Sequence, residues 1–152
     1  MIELKGARSV QLQKSTDYAI RILLYLDNYT AVHNLPTAKM ISKGTGLTYP
    51  FFIKIASQLK QHGLVDSVQG RNGGYGLAKP ADEISLYDVI SAMEGELFVL
   101  HCLEEGVTCP RNGIRCAMQD YFGNVQKALI GMLSSKYIAD LDTIRPPTEA
   151  SA

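Results

Sequence analysis

Apolar positions recur at helical spacing in five stretches of this chain and at period two in two short ones. Ala19, Ile22, Leu23 and Leu26 follow Lys14-Ser15-Thr16-Asp17. They predict a first long helix, capped by Ser15 or Thr16, with Asp17 favourably placed against the helix dipole. Residues 28–35 read as a polar loop. A short helical pattern then begins at Pro36-Thr37 and breaks at Gly44-Thr45-Gly46, and another runs from Thr48 to Gly63. Thr37 and Thr48 suit the N-caps of these helices, and Gly63 suits the left-handed position that ends one. In the second helix Phe52, Ile55, Ala56 and Leu59 share one face, leaving Thr48, Pro50, Phe51, Ile53, Lys54 and Ser57 for the other. Residues 64–68 and 75–78 alternate around a glycine-rich turn, which reads as a β-hairpin.

Beyond a connector at residues 79–83, Ser85-Leu86-Tyr87-Asp88 carries a capping-box pattern into a helix over residues 86–93 that Gly95 ends. A short apolar run, residues 97–100, leads into a loop at 101–116. A last helix is predicted from about Ala117 to Leu141, striped by Tyr121, Val125, Ala128, Leu129, Met132 and Leu133. No further element remains to cover that stripe, so pairing with a second copy is the simplest expectation. Two helices about a glycine turn, followed by a hairpin, outline a winged helix-turn-helix. The predicted fold is therefore mainly α with a small β-hairpin wing and a long C-terminal dimerisation helix. Its parts are an N-terminal extension (1–11), a DNA-binding domain (12–95), a cysteine-bearing loop (96–116), the dimerisation helix (117–143) and a disordered tail (144–152) containing Pro146-Pro147.

Charge agrees with this outline. Residues 35–80 carry six cations (Lys39, Lys43, Lys54, Lys60, Arg71, Lys79) against Asp66 alone. Residues 81–120 carry eight acids against Arg111 and Arg115, so the formal net charge of zero conceals a basic block beside an acidic one. Phosphate recognition needs only the local patch, because salt screens charge within roughly 8 Å. Two ordinary solvated surfaces would give the same pattern. No uncharged apolar run reaches the roughly 18 residues of a membrane span, and the first ten residues lack the apolar core of a secretory signal. Three cysteines, an odd number, fit a reducing cytoplasm better than a disulfide framework.

Those cysteines, Cys102, Cys109 and Cys116, are evenly spaced with six residues between neighbours, in a segment rich in turn formers. Buried structural cysteines usually sit on core faces of helices or strands, so three in one polar loop look more like ligands. The close pairs of a structural zinc site are absent. Iron–sulfur clusters accept wider spacings. Spacing alone leaves cluster ligation, inert or redox-active thiols, and zinc all open. Three thiolates leave a position for a fourth ligand; His101 is adjacent in sequence, although a lone histidine more often only forms hydrogen bonds.

Residues 70–81, Gly-Arg-Asn-Gly-Gly-Tyr-Gly-Leu-Ala-Lys-Pro-Ala, followed by Ile84-Ser85-Leu86 and Val89-Ile90-Ser91-Ala92-Met93-Glu94-Gly95, resemble the bacterial Rrf-type winged-helix regulators of the IscR and NsrR kind. The likeness begins near Leu12, where residues 12–21 look like the family's first helix, and extends to about Leu141. It implies a homodimeric repressor of palindromic double-stranded DNA, with C-terminal helices crossed at the dimer axis and an iron–sulfur sensor loop nearby. By the same resemblance Thr48, Pro50, Ile53 and Lys54 face bases and Arg71 meets the minor groove. Thr37, Tyr49, Phe51, Asn72 and Gly73 complete the expected DNA-binding set. Phe51 and Ile53 suit either thymine methyls or partial burial. Cys102, Cys109 and Cys116 match the cluster triad, of the 2Fe–2S or 4Fe–4S type, and Asp17 falls where NsrR-like members supply a carboxylate from the other subunit. The plainer reading of Asp17 is a residue stabilised by the helix dipole.

The sequence also departs from that pattern. The familiar triad spacing is five residues rather than six, Gln119 stands where IscR-like members place a histidine, and Ile53 replaces an acid. Family members usually begin one or two residues before the position of Leu12, so residues 1–9 read as an extension, with Val10 as an alternative initiator. The expected function is a cytoplasmic regulator sensing redox state, nitric oxide or iron status. The alternative is a cluster-free regulator of the same fold, responding through thiol oxidation, a metabolite or a partner protein. Enzyme function is excluded: no nucleophile–base pair appears, and residues 70–76 lie in a hairpin rather than before the helix a nucleotide site requires.

Overall fold

The computed structural model describes residues 11–30, 34–106 and 116–141. Helix α1, Lys14–Thr30, is built on a stripe of Ala19, Ile22, Leu23 and Leu26, each with no exposed surface. It begins at Lys14, before the expected cap, because the cap comes from elsewhere in the fold. Glu94 Oε1 accepts from the Gln13 N–H at 2.8 Å and the Thr16 hydroxyl at 2.5 Å. Thr16 is buried inside the first turn rather than capping it. The carboxylate also offsets the positive end of the helix. The helix outlasts the loop expected from residue 28. Asn28 donates back to the Leu24 carbonyl at 2.9 Å, and Tyr25 stacks on Tyr29 at 5.7 Å.

Helices α2 (Ala38–Thr45) and α3 (Tyr49–Gln61) form the helix-turn-helix. Thr37 accepts from the Met40 N–H at 3.4 Å, as a cap should, and Gly46 turns the chain at φ +73°. Thr48 holds the N-cap position of α3 with extended backbone, yet its side chain makes no capping bond. At the other end Gly63 is left-handed at φ +69°. The Leu64 N–H reaches the Leu59 carbonyl and the Gly63 N–H that of Lys60, both at 3.0 Å, which completes a Schellman motif over two buried leucines.

The wing pairs β1 (Val65–Val68) with β2 (Gly74–Leu77) antiparallel, Val65 opposite Leu77 and Val68 opposite Gly74. Its outer edge is held by the segment before α2: the Tyr75 N–H donates to the Pro36 carbonyl at 3.0 Å. A Cβ at Gly74 would lie 2.5 Å from that oxygen, so the close approach requires glycine. A 3₁₀ turn, Ala81–Glu83, leads to α4 (Leu86–Glu94). Its capping box is complete, with Asp88 N–H to Ser85 Oγ at 3.1 Å and Ser85 N–H to Asp88 Oδ2 at 3.0 Å.

After a short 3₁₀ turn, His101–Leu103, the chain resumes in α5, Ala117–Ser134. The single helix expected as far as Leu141 is in fact two. It breaks at Ser135-Lys136, and Tyr137 bridges to Ser85 before α6, Ile138–Leu141. Leu86 and Ile138 each exchange a backbone bond with this crossing, to Lys136 O and Ile84 O, both 2.8 Å. Ile138 is wholly buried in the main core, and this anchoring ends α5. Among the described residues no helix is long and apolar enough to cross a membrane.

Gly74→Ala is expected to push the wing off residues 35–36 and lower stability by about 1–3 kcal/mol. Urea unfolding measures this, and an unchanged midpoint would contradict the packing described.

Candidate DNA-reading face and cysteine segments

Tyr75 gathers the parts of the reading face. Its N–H meets Pro36 beside the α2 cap, and its ring stands edge-on to Phe52 of α3 at 5.1 Å. Burial pushes its hydroxyl above the ordinary tyrosine range, and neighbouring Tyr49 adds to the shift. The starts of α2, α3 and β2 thus converge. Thr37, Thr48, Tyr49, Pro50 and Lys54 are exposed there, as are Arg71 and Asn72 at the wing tip. Gly73 is half-buried, tucked against the Val68 carbonyl too closely for a side chain.

Phe51 and Ile53 are half-buried and pack against the core, Phe51 meeting Tyr18 of α1 perpendicularly at 5.6 Å. Partial burial, one of the two readings left open by sequence, is what the fold shows for both. Sequence reasoning left out three features of this face. Lys60 donates to the Ser67 hydroxyl at 2.6 Å, bracing α3 against β1. Met40 on α2 and Val68 on β1 are exposed apolar side chains, Val68 opposite a glycine that cannot cover it. Period-two alternation assigns Val68 to the same side as Asp66, a clue to its exposure that was available from the start.

The cysteine segments lie away from this face along the chain. Cys102 sits in the 3₁₀ turn and Cys116 at the N-cap of α5; both are half-buried free thiols. Cys109 lies outside the described residues. Gln119, in the first turn of α5, donates to the Cys102 carbonyl at 3.4 Å, which brings the segments bearing Cys102 and Cys116 together. Leu103 packs near Gly123, and the Val99 N–H donates to Gln126 Oε1 at 3.1 Å. His101 is engaged with Glu104 at 3.1 Å. Asp17 is exposed on α1 and paired with Arg21 at 2.9 Å, the Arg21 guanidinium lying 5.5 Å from the Tyr18 ring centre. Among the described residues no three His, Cys, Asp or Glu side chains converge as metal donors. Helix α5 buries none of its residues, leaving Met118, Tyr121, Val125 and Met132 exposed.

A helix pair about a left-handed glycine, with an exposed second-helix start beside a hairpin tipped by Arg71, defines the DNA-binding winged helix-turn-helix class. Residues 12–143 match the family model Rrf2, described as an iron-dependent transcriptional regulator, and the chain belongs to that family. It is 34% identical over 139 residues to protein aau3 of Rhizobium meliloti, covering 90% of this chain and 88% of that one. It is 31% identical over 133 residues to the HTH-type transcriptional regulator NsrR of Shouchella clausii, with 87% and 88% covered. CymR, the global cysteine regulator of B. subtilis, superposes with a TM-score of 0.72 at 22% identity, over 91% of this chain and all of that one. The protein is a DNA-binding transcriptional regulator rather than an enzyme, as its sequence suggested.

Binding to duplex DNA is expected to fall with added salt. Lys54→Gln should lower the slope of log affinity against log salt by about one if that lysine meets a phosphate. Fluorescence anisotropy titrations across salt concentrations measure it, and salt-independent binding would contradict an electrostatic reading face.

Proposed function

We propose that the chain acts as a homodimeric repressor of palindromic DNA and holds an iron–sulfur cluster on Cys102, Cys109 and Cys116. The observation that carries this reading is the Gln119 bond to the Cys102 carbonyl, which draws two thiol-bearing segments to one end of α5. Half-buried free thiols fit a cluster, which needs thiolate donors partly shielded from water. The glutamine also offers a physical account of the missing histidine: at this position it serves the backbone of the loop rather than a metal. The partner subunit's Asp17 completes the ligand set, a harder and weaker donor to iron than thiolate. When bound, the group supplies an iron with one readily exchanged ligand, suited to sensing nitric oxide, oxygen or iron supply. On the reading face, Thr48, Pro50 and Lys54 address base edges, and Arg71 enters the minor groove with Asn72 and Gly73 shaping the tip.

Dimerisation rests on the exposed seam of α5. Met118, Tyr121, Val125, Ala128 and Met132 alternate three and four residues apart, the spacing of helices that pack against one another. Tyr121 and Met132 remain 65% and 71% exposed in one copy. Tyr121→Lys with Met132→Lys should convert a dimer into monomer in sedimentation, while a wild-type chain that is monomeric at micromolar concentration would reject the pairing.

Anaerobic reconstitution tests the cluster. The wild-type protein should be brown or red, Cys116→Ala should fail to hold colour, and Asp17→Ala should shift the visible spectrum or hasten cluster loss. A wild-type protein that stays colourless would favour a thiol switch. An Asp17→Ala spectrum and lifetime equal to wild type would turn attention to His101 or Glu104.

A further inference from the structure

The last turn of α4 carries two polar anchors that neither the reading face nor the cysteine segments use. Gln58 of α3 donates its amide to the carbonyls of Ala92 at 3.0 Å and Met93 at 3.1 Å. The final carbonyls of a helix lack partners within it, so this fork satisfies two groups that would otherwise require water. The next residue, Glu94, holds the start of α1 through Gln13 and Thr16. Gly95 then ends the helix at φ +82°, and seven residues later the chain reaches Cys102.

We infer that Gln58 and Glu94 are positioning residues: through them the end of α4 passes the state of the Cys102 segment to the recognition helix α3 and to α1. The inference rests on the reading of those cysteines as a sensor. Its physical basis is the difference between the two kinds of contact at this joint. Apolar packing between α3 and α4 is non-directional and tolerates small sliding. Hydrogen bonds weaken steeply as their angle departs from linear, so a rotated last turn must carry Gln58 with it or lose both bonds. Gln58 is half-buried, while Lys54, Ser57 and Gln61 of the same helix are exposed. It therefore acts on DNA only through the placement of α3. Glu94 does the same for α1, whose Tyr18 packs on Phe51 at the start of α3. Both anchors thus bear on the recognition helix, one directly and one through α1.

Coupling between two sites is reciprocal in affinity, so if the state of the cysteine segment alters DNA binding, bound DNA shifts the populations of that segment's states, and with them the exposure of its thiols. The probe is the rate of maleimide labelling of the reduced, metal-free full chain, with and without a duplex selected by the protein from a random pool. In the wild type the duplex is expected to change that rate about fivefold or more. In Gln58→Met, which keeps length and helix propensity but donates nothing, the change should fall below about twofold while the duplex still binds. Thr16→Val, which removes a donor to Glu94, should reduce it as well, and keeps the test available if the glutamine variant folds poorly. Glu94→Gln retains an acceptor oxygen and should keep the wild-type response, an outcome that simple loss of stability would not produce. A full wild-type response in Gln58→Met and Thr16→Val overturns the route while leaving the sensor intact. A wild type whose labelling ignores DNA overturns the sensor reading itself, and the route with it.

Discussion

The buried stripe of α1 is the constraint on which the head of this molecule depends. Helices α2, α3, α4 and α6 and strand β2 all lean on that one helix. Ala19, Ile22, Leu23 and Leu26 therefore serve several interfaces at once, and losing one of the larger side chains would cost about 2–5 kcal/mol. The fit is tight at its edge too. Tyr25 lies against α2 where a Cβ at Gly44 would overlap its ring, so the glycine sets how closely the two helices approach. The recognition helix is held in turn by Phe52, Ile55 and Leu59 in the same core, and its entry carries Phe51 against Tyr18. A rigid seat of this kind lets the exposed start of α3 present Thr48, Pro50 and Lys54 at fixed spacing from the wing.

The parts legible in the sequence were those governed by local rules. Gly63 is left-handed, Ser85 and Asp88 close a capping box, and the hairpin forms around its glycines, because each depends on residues only a few positions apart. Two of the errors come from contacts made across the chain, and a third, at the end of the first helix, from contacts within one turn. The first helix starts at Lys14 because Glu94, some eighty residues away, supplies the cap. It continues past residue 28 because aromatic stacking and a side-chain bond to the preceding turn support a stretch whose composition looks like a loop. The final helix breaks before Tyr137 because a bridge to Ser85 and the burial of Ile138 outweigh its continued helical pattern. No period in the sequence encodes such a return.

The candidate site was legible to a different degree in its two halves. Exposed polar and cationic residues at the start of α3 and the wing tip stand where spacing put them. The ambiguity over Phe51 and Ile53 was resolvable only in three dimensions, since a helix with apolar residues on two sides does not reveal which neighbours it meets. For the cysteines, spacing raised several chemistries. The bond from Gln119 to Cys102 adds a relation between two segments that no motif contains. Gln58 and Glu94 were invisible as anchors for the same reason: a glutamine on a helix and an acid before a glycine are ordinary in composition.

Helix α5 is tied down at both ends but only half-covered along one face, by α4 and the cysteine-bearing turn. Gln119 and Gln126 bind it to the cysteine-bearing turn and the segment before it, and Tyr137 and Ile138 bind its far end to the head. Between those ties it buries none of its residues. Helices in isolation gain little from propensity alone, and most helical stability in proteins comes from packing an amphipathic face. An exposed seam of Met118, Tyr121, Val125 and Met132 is therefore surface that a second copy would stabilise. A helix in that position would join two heads while touching the cysteine segments of each. The same seam that stabilises α5 would then also fix the distance between two reading faces, so stability and the spacing of operator half-sites become one physical problem.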